Sequence, residues 1–291
     1  MTVNAFIAID KPAGITSFEV IRCLRRITGI RKIGHTGTLD PFATGLLICC
    51  IGSFTRLASF VEAGDKTYSA TVQLGQTSTT GDPEGIIEAV DLPSTVCDYQ
   101  EIAGKALELS ELPVPIYSAV KISGQRAYKL ARNGEEMIIP PRGVRISQFE
   151  FSSWPDGSVI NHNNQFSYRC RVSKGTYIRS LSQWLAKQLG TEGYTISLRR
   201  ESIGNITVGQ ALILEDLTPE NWQDNLLKPQ DVLVDLSEMD IEEAQYNIVK
   251  NGGDICGATP EIQEPIALYY ESVIVAVGVL KQGQIHPRIV L

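Results

Sequence analysis

Histidine, methionine and tryptophan are scarce in this 291-residue chain, with three of each. Only His35, His162 and His286 are available to a metal centre built on imidazole. The six cysteines, Cys23, Cys49, Cys50, Cys97, Cys170 and Cys256, include no C-x-x-C pair, which argues against zinc. A chain this long does not need a disulfide framework, so most of them read as small core residues in a reducing compartment. Long apolar runs are missing too. The most apolar stretch, GLLICCIG at 45–52, is far shorter than the ~20 residues a membrane helix needs. The start, MTVNAFIAIDKPAG, has no basic region followed by an apolar one, so no signal peptide is read and a cytoplasmic location is expected. Internal repeats and low-complexity segments are absent as well.

What is present suits a folded globular protein: 43% apolar residues and 20% charged. The length allows one large domain and a small one. The net charge of −7 argues at first against nucleic acid, but the charge is sorted along the chain. Residues 1–60 carry 7 basic and 3 acidic groups, and residues 121–200 carry 13 and 5. Residues 61–120 are net −8 and residues 201–291 net −11. Two basic blocks in an acidic chain fit a local phosphate-binding face, and they also fit sorted surface charge with no ligand.

Residues 5–14 read as a strand ending in a Pro/Gly turn. Thr16 and Glu19 have capping-box spacing, with Val20, Leu24 and Ile27 on one helical face, Gly29 at the end, and Arg22, Arg25 and Arg26 on the other face. GLLICCIG reads as a buried strand, and 54–63 as a short helix stopped by Gly64. KTYSATVQLG alternates, with Tyr68, Ala70, Val72 and Leu74 on one side. QTSTTGDPEG is turn chemistry, and 97–110 suits a helix. Residues 113–143 mix prolines, basic residues and tyrosines around a short helical stretch at 125–133, and read as an insertion that contacts a polyanion or as an ordinary surface excursion. VRISQFEF and QFSYRCRVS predict an antiparallel pair. Leu181, Trp184, Leu185 and Leu189 predict an amphipathic helix ending at Gly190, followed by the strand TISLRRESIG. Near 227–229 the pattern changes to acidic, strand-rich sequence, which predicts a domain boundary there.

The stretch GHTGTLDPFATGLL at 34–47 carries the chemistry. Glycines at 34 and 37 permit close approach or positive φ, and Pro41 restricts Asp40. An acid held on such a loop can be a nucleophile or a base. By the residues alone, a carboxylate capping its own turn is the better-supported reading.

This stretch resembles the catalytic motif of the TruB family of tRNA pseudouridine synthases. DKPAG (10–14), DKTYSATVQLGQTSTTGDPEG (65–85), YSAVKISGQRAY (117–128), SKGTYIRSL (173–181) and SLRRESIG (197–204) resemble further family blocks, in the family's order. The resemblance covers roughly residues 5–215. It implies an α+β catalytic domain on a mixed, mainly antiparallel sheet over residues 1–228, with the insertion at about 113–143. Residues 229–291 resemble a PUA-type domain more loosely, as a small β-rich unit. The family block often has Pro where Ile48 sits, a departure at a position that reads as strand interior.

The implied reaction cleaves the N-glycosidic bond of a uridine, rotates the uracil and rejoins it through C5, at the position numbered 55 in the tRNA T-loop. The resemblance implies no cofactor and no metal. It makes Asp40 the single catalytic aspartate, paired with Arg179, whose guanidinium should keep the carboxylate ionised and lower its pKa. Whether Asp40 attacks sugar, attacks base or takes a ribose proton stays open. Tyr68 matches the tyrosine that stacks on the uracil, and Tyr177 and Leu198 match residues lining its pocket. His35 matches a histidine that fills the space left by the flipped nucleotide. Lys66, Lys121, Arg126, Lys129 and Arg132 are candidate phosphate contacts. The expected partner is the T-arm of tRNA, with no guide RNA, no membrane and a monomeric enzyme. The acidic C-terminal region is expected to add little to RNA affinity. A guide-RNA-dependent relative and a non-catalytic RNA-folding helper are the rival readings.

Overall fold

The computed structural model describes residues 3–92, 98–118, 120–122, 125–132, 137, 139–154, 157–256 and 265–291. Nine strands form one mixed sheet: β1 (Ala5–Lys11), β2 (Ile33–His35), β3 (Thr44–Ile51), β4 (Lys66–Leu74), β5 (Ile146–Ser152), β6 (Gln165–Val172), β7 (Gly193–Ile203), β8 (Ile206–Thr207) and β9 (Leu212–Ile213). Their order is β5-β6-β4-β7-β3-β1-β9, with β8 beside β7 and β2 beside β3. Only the β1–β9 and β3–β7 pairs are parallel, so the sheet is mixed and mainly antiparallel, as expected.

Five helices accompany this sheet: α1 (Ser17–Thr28), α2 (Ala58–Ala63), α3 (Tyr99–Leu107), α4 (Ala127–Arg132) and α5 (Ile178–Gln188). The signals at the ends of α1 act as the sequence predicts. Thr16 and Glu19 close a capping box, and Gly29 caps the C-terminus at φ 70. The expected β5–β6 pair forms, with Phe149 opposite Cys170 and Phe151 opposite Tyr168.

Burial explains the apolar run in β3. Ile7, Ile9, Leu47 and Cys49 face Val20, Ile21 and Leu24 of α1. The alternate residues Phe6, Ala8, Leu46, Ile48 and Cys50 face a second apolar layer. A strand covered on both faces has no side chain left for water, so it reads as a continuous apolar run. Ile48 is fully buried opposite Ala8, so the family's proline position is a strand interior here. On β4, β6 and β7 one face packs under α3 and α5, whereas the other carries Thr71 bonded to Ser167, and Glu201 of β7 accepting from Ser69 and Arg169. That is the one-sided pattern of a sheet with one wet face.

The second apolar layer joins Phe54, Leu57 and Val61 to the C-terminal part of the chain. That part contains α6 (Pro229–Val232), α7 (Glu243–Val249) and a five-stranded sheet of β10 (Ser237–Asp240), β11 (Ile255–Cys256), β12 (Ile266–Tyr270), β13 (Val273–Lys281) and β14 (Gln284–Val290). Val232, Leu233, Ala267, Tyr269 and Val277 pack in one cluster with Phe6, Leu46, Ile48 and Leu57. This acidic segment therefore covers the nine-stranded sheet, a structural task that its charge does not announce.

Candidate active site

The loop from Thr36 to Ala43 joins β2 to β3 and is gripped from three sides. The Ser17 hydroxyl of α1 accepts from the Leu39 N–H at 2.9 Å and donates to its carbonyl at 3.1 Å. The Pro41 carbonyl accepts from the Gly14 N–H at 2.8 Å and from Lys11 Nζ at 3.2 Å. Arg200, on β7, donates to the carbonyls of Gly37 at 3.2 Å and Leu46 at 2.6 Å. Lys11 and Arg200 are fully enclosed, and burial pushes the Lys11 ammonium down to about 8 while the Asp40 charge opposes that shift. Two buried cations thus fasten backbone carbonyls beneath the Asp40 loop. Gly37 has the positive φ that the sequence suggests, +109°. Gly34 does not; it lies in β2, and the second required glycine is Gly45, at +102° against the Arg200 backbone.

The loop presents Asp40 to Arg179 in the first turn of α5. The Tyr168 hydroxyl meets Ser182 at 2.8 Å, and Thr195 donates to Ser182 at 2.9 Å, which fixes α5 against β6 and β7. Arg179 is itself buried, not a solvated helix-end arginine. Four of its N–H groups donate hydrogen bonds, and its Nε forms an ion pair. Nε lies 3.0 Å from Asp40 Oδ2, and Nη2 donates to Asp40 Oδ1 at 3.4 Å. Nη1 donates to Asp82 Oδ2 at 3.0 Å and the Thr80 carbonyl at 2.7 Å, and Nη2 to the Tyr117 carbonyl at 3.0 Å. This fork fixes the carboxylate in two places at once.

Electrostatics correct one expectation. The Asp40 carboxyl is raised above its usual value, not lowered: burial contributes most, Arg179 opposes it, and Asp82 adds to it. The side chain is one-third open to the cleft. Protein nonetheless surrounds it on every other side, which is why burial outweighs one guanidinium. Arg179 is shared between two acids, so neither receives its full effect.

A cleft of about 1140 Å³ opens above this pair. Its walls include His35, Asp40, Lys66, Tyr68, Tyr177, Arg179 and Leu198, so the central residues singled out in the sequence converge on one cavity. Tyr68 and Leu198 are almost wholly buried. The His35 Nδ1 is buried without a partner, and burial followed by Arg200 lowers its pKa, so the imidazole is neutral at pH 7. Lys66 turns its ammonium onto the carbonyls of Glu62 at 2.8 Å and Gly64 at 2.6 Å, a cap for the end of α2 rather than a free surface cation. The backbones of Lys121, Arg126, Lys129 and Arg132 lie in a short hairpin and α4, and their side chains lie outside the described residues. Cys97 also lies outside them.

Asp82, Lys11 and Arg200 escaped the sequence reading as site residues. Asp82 had a signal: it sits in GDPEG, an Asp-Pro turn like that of Asp40-Pro41. Among the described residues no three His, Cys, Asp or Glu side chains converge as metal ligands. No helix among them is long and apolar enough to cross a membrane.

Residues 25–178 match the family model for the N-terminal domain of TruB family pseudouridylate synthases. The chain is also 34% identical to tRNA pseudouridine synthase B of Streptococcus gordonii, covering 98% of this chain and 99% of that one. The chain belongs to the TruB family. The same-named protein of Neisseria gonorrhoeae is 35% identical, over 93% of this chain and 88% of its own. The TruB-family fold extends to a solved Cbf5-Nop10-Gar1 complex, with a TM-score of 0.70 at 22% identity over 98% of this chain and 84% of that one. In this TruB-family pseudouridine synthase the Asp40–Arg179 pair lies in the wall of the cleft.

Proposed function

We propose that this enzyme isomerises uridine 55 of the tRNA T-loop to pseudouridine, with Asp40 as the reacting carboxylate. The carrying observation is the forked Asp40–Arg179 pair opening into a cleft lined by Tyr68, Tyr177, Leu198 and His35. In this reading the C1′–N1 bond breaks, the uracil turns, C5 bonds to C1′, the C5 proton leaves and N1 is protonated. Arg179 opposes the upward pull of burial on the carboxylate and aims it. Tyr68 lies against the base, and the neutral His35 ring takes the place of the flipped nucleotide, offsetting part of a flipping cost of a few kcal/mol. Asp40 attacks sugar or base, or takes a ribose proton; each route needs an ionised carboxylate in place.

The enzyme acts as a guide-free monomer in the cytoplasm, with a catalytic domain to 228 and a PUA-like domain from 229. The near full-length match to a bacterial protein named tRNA pseudouridine synthase B supports the guide-free reading. The test is tritium release from a T-arm hairpin labelled at uridine C5. Wild type should release tritium from the one T-loop uridine, and Asp40→Asn should release none. Release by the variant, or silence from wild type with RNA bound, would overturn the reading.

A further inference from the structure

Five basic residues, Arg22, Arg25, Arg26, Arg31 and Lys32, fall within eleven positions of a chain whose net charge is −7. Arg22 and Arg26 are exposed on α1 and Arg31 and Lys32 in the loop that leads to β2, whereas Arg25 is half-buried and donates to the Ile33 carbonyl at 3.3 Å. Glu19 is the one acid among them, and its carboxylate is occupied by the Thr16 cap and by Arg22. Among the described residues no carboxylate forms an ion pair with Arg25, Arg26, Arg31 or Lys32. Phe18 stands 55% exposed in their midst. The guanidinium carbons of Arg22 and Arg25 each sit 5.8 Å from its ring centroid. A core-forming helix does not need this exposed ring, since Val20, Ile21 and Leu24 already pack on β1 and β3.

We propose that this face is a second RNA-binding surface, which holds a part of tRNA outside the T-arm hairpin. The inference rests on the tRNA reading above. An exposed ring flanked by cations offers stacking to an unpaired base and charge to its phosphates, the combination used for single-stranded nucleic acid. The surface is continuous with the cleft. Thr16, the cap of α1, and His35, the end of β2, both line the cavity, and Ser17 is bonded to the catalytic loop. Phe18, Arg22 and Arg26 do not line it. At about 1.5 Å per residue, Arg26 lies roughly 15 Å along the helix from Thr16, so the face extends away from the cavity.

The experiment compares full-length tRNA with its isolated T-arm hairpin as ligands for two enzymes. One is wild type and the other carries Phe18→Ala, Arg22→Gln, Arg26→Gln and Lys32→Gln. Affinity for tRNA should fall about tenfold or more, and the slope of log affinity against log salt should flatten by about two. Affinity for the hairpin and tritium release from it should stay within about twofold. Phe18→Tyr alone, which keeps the ring, should bind tRNA as wild type does. An unchanged tRNA affinity and salt slope would overturn the proposal, and so would an equal loss on both RNAs. Failure of wild type to release tritium from either RNA would sink the reaction instead, while the binding comparison still decides the surface.

Discussion

Asp82→Asn is the most informative single change in this site. Asp82 Oδ2 accepts from Arg179, while Oδ1 accepts from the Thr80 hydroxyl and from the Glu84 N–H at 3.0 Å. An asparagine must turn its NH₂ toward one of these two sides. Toward Arg179 it sets donor against donor; in the other orientation it faces the Glu84 N–H, which cannot reverse its role. Both Asp82 and Arg179 have side chains only 5% exposed, so solvent does little to relieve the mismatch. Losing a buried charge-assisted hydrogen bond costs about 2–4 kcal/mol. Arg179 then relaxes away from its aim at Asp40, and a displacement of ~1 Å costs about 10²-fold in rate. The pH profile should move as well. Asp82 pushes the Asp40 carboxyl up and Arg179 pulls it down more strongly, so displacing the guanidinium should shift the acid limb of turnover to higher pH. Single-turnover tritium release across pH, with urea unfolding alongside, reads all three effects. Turnover within about threefold of wild type with an unmoved acid limb would refute the shared-guanidinium account.

Three further outcomes follow from the same geometry. Because Asp40 is raised in the folded state, its ionised form at neutral pH opposes folding, so Asp40→Asn should abolish turnover without lowering the urea midpoint. Lys11 at about 8 in the fold against 10.5 unfolded binds fewer protons folded than unfolded between those values. Its contribution therefore rises with pH, and the stability gap between wild type and Lys11→Met should widen by about 3 kcal/mol from pH 8 to 10.5. A Cβ at Gly45 would lie 2.3 Å from the Arg200 carbonyl at a φ of +102°. Gly45→Ala should then cost at least about 3 kcal/mol and drop the melting temperature by roughly 10 °C.

Local patterns carried much of this protein. Alternation in 66–74, the capping box at Thr16 and the spacing of Leu181, Leu185 and Leu189 depend on neighbours within a turn or two, so the sequence alone determined those elements. The motif around Asp40 and the K-G-T-Y-I-R block likewise determined the family and the two partners of the central ion pair. Only the tertiary structure decided what surrounds them. Asp82 joins Arg179 from 97 positions away, and Arg200 reaches Gly37 across 163, distances over which no sequence pattern fixes a contact. The sign of the Asp40 shift belongs to the same class. It depends on the balance between burial and a guanidinium divided between two acids, and both are properties of packing. The acidic C-terminal segment shows the limit most plainly. Its charge is written in the sequence, but its use as the second cover of β1 and β3 exists only once the two sheets meet.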